Sequence, residues 1–141
     1  MTTLTFSQKR YLAALYILQL TTNEVRAVHV ARRLGVTAAS TSVALHALRG
    51  KGLLCVSGTG ALRLTAPGLR LAEEYCSRYA RLAAALIRLG VPAETAMDDA
   101  RLLAHSLSGE SFVHICRACE KAHTSSAPGN DPASAAGHGP A

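Results

Sequence analysis

The chain of 141 residues carries 15 Lys and Arg against 9 Asp and Glu, a formal net charge of +6, and 49% of its residues are hydrophobic. This length allows one domain, or a small domain with an appendage. No stretch approaches the roughly 20 uninterrupted apolar residues that a membrane span needs, and the N-terminus lacks a basic-then-apolar signal pattern. We therefore expect a cytoplasmic protein with no membrane partner, whose four cysteines are reduced rather than paired.

The basic residues are concentrated in the first half of the chain. Residues 1–66 contain eight Lys and Arg and one acid, Glu24, whereas residues 67–141 contain seven basic and eight acidic side chains. Neutralisation of phosphates by Lys and Arg supplies most of the non-specific affinity for nucleic acid. This asymmetry is typical of a domain that binds double-stranded DNA joined to a second domain that pairs two copies.

The pattern of apolar residues predicts that the first half is mainly α. Three helices are predicted, each with apolar residues at helical spacing: residues 6–20, 27–34 and 38–48. Gly35 ends the second helix and Thr37 caps the third. Two strands are predicted around a turn at residues 57–60: Leu53–Val56 and Ala61–Thr65. Helix, tight turn, helix and hairpin, in that order, indicate a winged helix-turn-helix, whose second helix enters the DNA major groove.

The second half of the chain is also predicted to be helical. Pro67 suits the first turn of a long helix, and three helices are expected: residues 67–89, about 93–107 and about 111–123. Their extensive apolar faces indicate an interface between two copies. The chain is thus expected to have a winged helix-turn-helix DNA-binding domain at 1–66, a helical dimerisation domain at 67–123 and a disordered tail at 124–141, which has almost nothing to bury.

The third predicted helix has one face toward the core and one toward DNA. Leu45 and Leu48 continue the buried stripe, beside Thr41 and Ala44. The residues expected to face DNA are Thr37, Ala39, Ser40, Ser42, Val43 and His46. Hydroxyl and imidazole groups contact base edges or phosphates, and small apolar groups contact thymine methyl groups. Phosphate contacts are expected from the basic residues Arg26, Arg32, Arg49, Lys51 and Arg63.

That face contains no Arg, Asn or Gln, the residues that make bidentate contacts to bases. We therefore expect no bidentate base contact from this helix. Readout of DNA shape and contacts to the backbone are expected to contribute heavily instead.

Six short motifs occur in a fixed order along the chain. They are Tyr11-Leu12-x-x-Leu15-Tyr16, Leu34-Gly35-Val36-Thr37, Gly52-Leu53-Leu54, Leu64-Thr65-x-x-Gly68, Leu89-Gly90-Val91 and Asp99-Ala100-x4-His105-Ser106-Leu107-Ser108. With these motifs, residues 5–123 resemble the iron- and manganese-dependent transcriptional repressors (the DtxR/MntR family), in a short form without the SH3-like third domain. The resemblance implies a homodimer that represses genes when a divalent metal fills a site between its two domains.

The metal ligands that the resemblance implies are largely missing from this sequence. The family's ligand positions fall on Arg10, Ala13, Tyr79, Arg101, Ala104 and His105. Only His105 can donate to a metal, and a hard cation such as Mn²⁺ needs several oxygen ligands. We therefore expect no manganese or iron cofactor at this site.

The two arginines at these positions leave three alternatives open. Arg10 and Arg101 could replace the metal bridge by pairing with carboxylates such as Asp98, Asp99 or Glu73. They could be solvated, which would leave the protein unswitched. They could also hold an anionic ligand, because the planar guanidinium fork fits a carboxylate or phosphate.

A different metal hypothesis concerns His114, Cys116, Cys119 and His123, whose spacing suits tetrahedral Zn²⁺. On one continuous helix the last three share a face while His114 lies well round from them, so at most three ligands converge. Zinc binding, redox sensing and two plain thiols near a helix end therefore remain alternatives. The other two cysteines are expected to be core residues: Cys55 and Cys76.

The interpretation that these features favour is a homodimeric DNA-binding regulator that manganese and iron no longer switch. One alternative is a dimeric winged-helix interaction module without specific DNA binding, and another is a regulator that responds to zinc or to thiol oxidation. An enzyme is not expected, since the sequence has no nucleophile elbow and no phosphate loop. The adjacent Asp98 and Asp99 splay apart on a helix and cannot act as paired carboxylates.

Overall fold

A computed structural model describes residues 3–125, with side chains through Lys121. Within this range the elements are α1 (Phe6–Thr21), α2 (Ala27–Leu34), α3 (Ala38–Gly50), β1 (Leu54–Val56), β2 (Leu62–Leu64), α4 (Ala66–Arg88), α5 (Ala93–Ser106) and α6 (Gly109–Ser125). The predicted fold, mainly α with a winged helix-turn-helix, is confirmed. The last helix runs two residues into the tail predicted at 124–141, and the rest of that tail lies outside the described residues.

Local chemistry sets the ends of the first three helices. The Thr5 hydroxyl accepts a hydrogen bond from the Gln8 backbone N–H, and the Gln8 side chain accepts one from the Thr5 N–H, which closes a capping box at the start of α1. Gly35 ends α2 in the left-handed conformation, with φ of 65°. Thr37 then caps α3 by accepting from the Ser40 N–H. Helices α2 and α3 are therefore separated by three residues, 35–37, which makes the helix-turn-helix.

The wing is a short antiparallel hairpin. Leu54 pairs with Leu64, Cys55 with Arg63 and Val56 with Leu62. The alternation of a strand buries both leucines of β2 and points Arg63 outward. The connection between α1 and α2 adds a bridge on the far side of β2, where the Leu62 N–H donates to the Val25 carbonyl at 2.7 Å.

Large aliphatic side chains fill the core of the winged helix. Leu12, Leu15, Val30, Leu48 and Leu53 are each no more than 2% exposed. They come from all three helices and from the segment entering the wing, so this core fixes α3 relative to the hairpin. Thr41 is buried among them, and its hydroxyl donates to the Thr37 carbonyl at 2.9 Å.

The junction between the wing and α4 is tightly fitted. Thr65 caps α4 by accepting from the Gly68 N–H, and its hydroxyl donates to the Gly52 carbonyl at 2.6 Å. Gly68 lies so close to the Leu53 carbonyl that a Cβ on it would collide with the backbone. The start of α4 is therefore fixed to the winged helix, with Ala72 buried in the same core.

Helices α4, α5 and α6 form a second core with smaller residues. Leu82, Ala83, Ala100, Ala104, Phe112 and Cys116 make up its buried cluster. Large apolar side chains on the same helices, and at the C-cap of α4, stay exposed instead: Ile87 45%, Leu89 60%, Met97 42%, Leu102 59% and Ile115 39%. None of the helices in residues 3–125 is both long enough and apolar enough to cross a membrane.

Candidate DNA-binding surface and interdomain cleft

Helix α3 divides into the two faces that the sequence predicts. Thr41, Leu45 and Leu48 are buried and Ala44 is half-buried. The residues predicted to face DNA are all exposed: Thr37, Ala39, Ser40, Ser42, Val43 and His46. Val43 is 73% exposed, more than any other large hydrophobic side chain between residues 3 and 121. The described fold therefore leaves this face of α3 open for contact.

The first turn of α3 is held by its own side chains. The Thr37 hydroxyl donates to the Ser40 hydroxyl at 3.0 Å and accepts from the Ser40 N–H at 3.1 Å. A helix N-terminus with hydroxyl groups attracts a phosphate, because its first N–H groups lack helical partners. This geometry is compatible with the predicted phosphate or base contacts of Thr37 and Ser40.

Three of the basic residues predicted to contact phosphates project freely. Arg49 lies in the last turn of α3, Arg63 on the outer face of β2 and Arg32 in the last turn of α2, and all three are exposed. Ion pairs within residues 3–125 involve other arginines, Arg26 and Arg101. Arg49 and Arg63 thus present two guanidinium groups with no ion pair within residues 3–125, one on α3 itself and one on the outer face of the wing.

Arg26 and Lys51 instead make intramolecular contacts. The Arg26 guanidinium donates to the Thr59 carbonyl at 2.6 Å and pairs with Glu24 at 3.1 Å. The Lys51 ammonium donates to the Thr3 carbonyl at 2.8 Å and to the Gln8 side chain at 2.9 Å. In this arrangement Arg26 fixes the turn of the wing and Lys51 fixes the start of α1. Both functions depend on partners far away in sequence, which a local pattern does not reveal.

Four of the six positions that the family resemblance assigns to a metal line one cleft. It has a volume of about 870 Å³ and lies between α1, α4 and α5, with the end of α2 at its side. Arg10, Ala13, Tyr79 and Arg101 line it, whereas Ala104 is buried in the second core. The cleft contains a single carboxylate, that of Asp98. These residues do not fit a divalent cation, because guanidinium groups repel it and one carboxylate cannot replace its hydration shell.

One of the predicted arginine pairs is present, but it does not bridge the domains. The Arg101 guanidinium donates to the Asp98 carboxylate at 3.0 Å, and both residues belong to α5. Arg10 forms no ion pair with any residue in the described range. The first of the three alternatives, an ion pair that bridges α1 and α5 in place of a metal, is therefore not among the contacts of the described residues.

An aromatic contact joins α1 to α5 instead. The Phe6 and His105 rings lie with their centroids 4.9 Å apart. The Nδ1 atom of His105 is buried with no hydrogen-bond partner. Burial lowers the pKa of His105 and the nearby Lys9 ammonium lowers it further, so the imidazole is held neutral against the phenyl ring.

The cysteines are dispersed rather than gathered around one point. Cys116 and Cys119 are buried, and burial raises the pKa of the Cys116 thiol, which disfavours the thiolate that binds metal. The His114 ring contacts the Glu110 carbonyl at 2.9 Å, and the side chain of His123 lies outside the described residues. Among the residues that are described, no group of three or more His, Cys, Asp or Glu is arranged to hold a metal ion.

The expectation that Cys55 is a core residue is wrong. Its neighbours in sequence, Leu53 and Leu54, are buried, but Cys55 points to the outer face of the hairpin opposite Arg63 and is exposed. Cys76 is only half-buried and lies at the edge of the cleft. The alternation of β1 explains the error, since a shift of one residue exchanges the two faces of a strand.

Comparison with solved structures places this architecture among metal-dependent transcriptional regulators. A manganese-dependent transcriptional repressor in complex with manganese has a TM-score of 0.72 at 27% identity, over 80% of this chain and 52% of that chain. The manganese regulator SloR has a TM-score of 0.72 at 19% identity, over 80% and 53%. IdeR from T. acidophilum has a TM-score of 0.65 at 20% identity, over 84% and 55%. The fold is that of these regulators, and the chain spans about half of their length.

The sequence itself places the chain in a family without an assigned activity. It belongs to the family described as domain of unknown function DUF8462, whose model matches residues 1–71. The match covers the winged helix and the first turn of α4. No curated protein matches the chain.

Proposed function

We propose that the chain is a homodimeric transcriptional regulator that binds double-stranded DNA through α3. The observation that carries the proposal is the open face of α3, which ends in the exposed guanidinium group of Arg49, together with a second exposed guanidinium group, that of Arg63, on the wing. Glu24, which is the one acidic residue among residues 1–66, pairs with Arg26 and is not part of this face. A basic surface around an exposed helix provides the sequence-independent attraction to phosphates on which DNA recognition is built.

The second half of the protein supports pairing of two copies. Ile87 on α4, Leu89 at its C-cap and Ile115 on α6 remain exposed. The buried positions of the same region are mostly filled by small side chains. Exposed apolar area of this kind marks an interface. A two-fold dimer would set two copies of α3 about one turn of DNA apart, or a small multiple of it.

We further propose that manganese and iron do not regulate this chain. A metal shifts an equilibrium only by its different affinity for the two states. With Arg10, Tyr79 and Arg101 at the cleft, the donor set that such a difference needs is missing. The metal named in the neighbouring repressor structure is therefore not expected to regulate this chain.

Binding to a fluorescent duplex of random sequence tests the DNA interface. We expect Arg49→Gln to weaken binding about equally for all sequences and to reduce the salt slope by about one unit, because it removes a phosphate contact. Arg88→Gln removes the same charge from an exposed position at the end of α4 and is expected to have little effect. Ser42→Ala and His46→Ala are expected to change the preferred sequence instead.

Two outcomes would contradict the proposal. If Arg49→Gln and Arg88→Gln weaken binding equally, only the net charge matters and α3 is not the reader. If the unaltered chain fails to bind the duplex at low salt, the interaction-module alternative is favoured. That alternative has one observation of its own, the exposed apolar Val43 at the centre of the α3 face.

A further inference from the structure

The cleft between α1, α4 and α5 combines positive charge with apolar walls. Arg10, Arg33 and Arg101 come from three different helices and line the same space. The carboxylate of Asp98, which also lines it, pairs with Arg101. Arg10 and Arg33 form no ion pair within residues 3–125, so the cleft has an excess of two guanidinium groups.

The remaining walls of the cleft are aromatic and aliphatic. Tyr75 and Tyr79 form one side, and Ile17, Leu34 and Met97 are among the apolar residues on the others. Burial raises the pKa of the Tyr75 phenol, so its hydroxyl, which donates to the Arg101 carbonyl at 3.4 Å, is neutral near neutral pH. The volume of about 870 Å³ lies in the range of small-molecule sites.

We propose that this cleft binds a small organic carboxylate with an apolar body, its carboxylate held by Arg10 and Arg33 and its body against Tyr75, Tyr79 and the aliphatic walls. A guanidinium fork pairs with a carboxylate through two parallel hydrogen bonds. Asp98 occupies Arg101 at 3.0 Å, which leaves Arg10 and Arg33 as the guanidinium groups without an ion pair within residues 3–125.

The two halves of the cleft select against simpler ligands. An inorganic anion would pair with the arginines but would leave the aromatic and aliphatic walls exposed to water. A neutral apolar molecule would cover the walls but would remove water from guanidinium groups without replacing their hydrogen bonds, which is unfavourable. A singly charged carboxylate with a ring or short chain satisfies both halves.

The site goes beyond the proposed DNA binding and does not depend on it. Its ligand would contact α1 and α2 of the winged helix together with α4 and α5. The experiment uses no DNA, so its failure would leave the proposed function untouched.

Calorimetric titration of the full chain with 2-naphthoate tests the site. The neutral isostere 2-naphthamide and inorganic phosphate each lack one half of the required chemistry. We expect 2-naphthoate to bind with one ligand per chain and both comparison compounds to bind at least tenfold more weakly. The amide loses a hydrogen bond between charged groups, which changes affinity by roughly tenfold or more. Phosphate loses the burial of apolar area against the walls.

Two substitutions of exposed residues separate the proposed contacts from general effects. Arg10→Gln is expected to weaken 2-naphthoate binding roughly tenfold, whereas the matched control Arg88→Gln, outside the cleft, leaves it unchanged. Asp98→Asn is expected to tighten binding by roughly threefold, because it removes the one negative charge among the cleft's lining residues, which repels the ligand carboxylate. Misfolding cannot produce a gain in affinity, so this variant distinguishes an effect on the site from a loss of folded protein.

The proposal is overturned if 2-naphthoate does not bind at millimolar concentration, or if 2-naphthamide binds equally well. Equal binding of inorganic phosphate would show that the apolar walls play no part and would also overturn it. So would an Asp98→Asn variant that binds 2-naphthoate more weakly than the unaltered chain.

Discussion

The winged helix and the α4–α6 region bury different kinds of residues. The first contains fully buried leucines from several elements, such as Leu12, Leu48 and Leu53. The second buries mainly alanines, with Leu82 and Phe112 as its large members. Burial of apolar area stabilises by about 25 cal/mol per Å², so alanines contribute little for each position that they fill. The comparison indicates that the winged helix is stable through its own core, while the second region depends on being covered.

The exposed surfaces of the two regions also differ in the residues that they carry. The open face of α3 carries small or polar side chains apart from Val43, and the basic Arg49 lies in the last turn of the helix. The open faces of α4–α6 carry Leu89, Ile87 and Ile115, none of them next to a run of like charges. The first kind of surface suits a charged, hydrated partner such as DNA, and the second suits another copy of the chain.

The largest expected effect is on the core of the winged helix. Leu48→Ala removes a side chain that is 0% exposed, and we expect it to lower the free energy of unfolding by about 3 kcal/mol. Leu20→Ala makes the same change where the side chain is 69% exposed, and it should lower that free energy by less than about 0.5 kcal/mol. Urea unfolding measures both, and equal effects would show that the core is not where the structure places it.

The next effect concerns the exposed apolar face of the second region. Leu89→Glu introduces a charge at a side chain that is 60% exposed, and we expect it to convert a dimer into a monomer in sedimentation velocity. Leu20→Glu, at a leucine of α1 that is 69% exposed, is expected to leave the dimer intact. A dimer that survives Leu89→Glu would mean that the interface lies elsewhere.

A smaller effect concerns the contact between the two regions, where the His105 ring packs on Phe6. Because the pKa of His105 is lower in the folded state than its ordinary value of 6.5, the unfolded chain takes up the proton first as the pH falls. Protonation of His105 therefore costs no stability well above pH 6.5, and the free energy of unfolding declines as the pH falls below that value.

Urea unfolding at several pH values checks this dependence. His105→Gln is expected to reduce the loss of stability on acidification, whereas His46→Gln, at an exposed position on α3, keeps it. An unchanged pH dependence in His105→Gln would contradict the assignment.

The smallest expected effect is that of manganese. Millimolar Mn²⁺ is expected to leave the thermal midpoint and the DNA affinity unchanged, since a ligand that does not bind cannot stabilise the fold. Tight, stoichiometric Mn²⁺ binding that His105→Ala removes would show that α1 or α5 has been aligned out of register. If Zn²⁺ has an effect, we expect Cys116→Ser combined with Cys119→Ser to abolish it.

The sequence predicts the helix ends well, because local chemistry determines them. Gly35 is the residue that most easily adopts a positive φ, and Thr5 and Thr37 bond to N–H groups only three residues away. The two faces of α3 follow from helical periodicity in the same way. These features require no knowledge of distant contacts.

Features that depend on distant partners could not be predicted in this way. Lys51 bonds to residues 43 and 48 positions away, and Arg26 bonds to a carbonyl 33 positions away. The cleft adds Arg33 from α2 to the two arginines that the family resemblance singled out. Only the packing of α2 beside α1 and α4 brings that third guanidinium group to the same space.

DNA binding by the winged helix and dimerisation through α4–α6 are tested most directly by native mass spectrometry with a duplex of about 24 base pairs. A duplex of this length holds two half-sites that lie one helical turn apart. The account predicts twice the 14.8 kDa chain mass for the free protein and two chains on each duplex. A free chain of 14.8 kDa would contradict the pairing of α4–α6, and a duplex that carries no protein at low salt would contradict the assignment of α3.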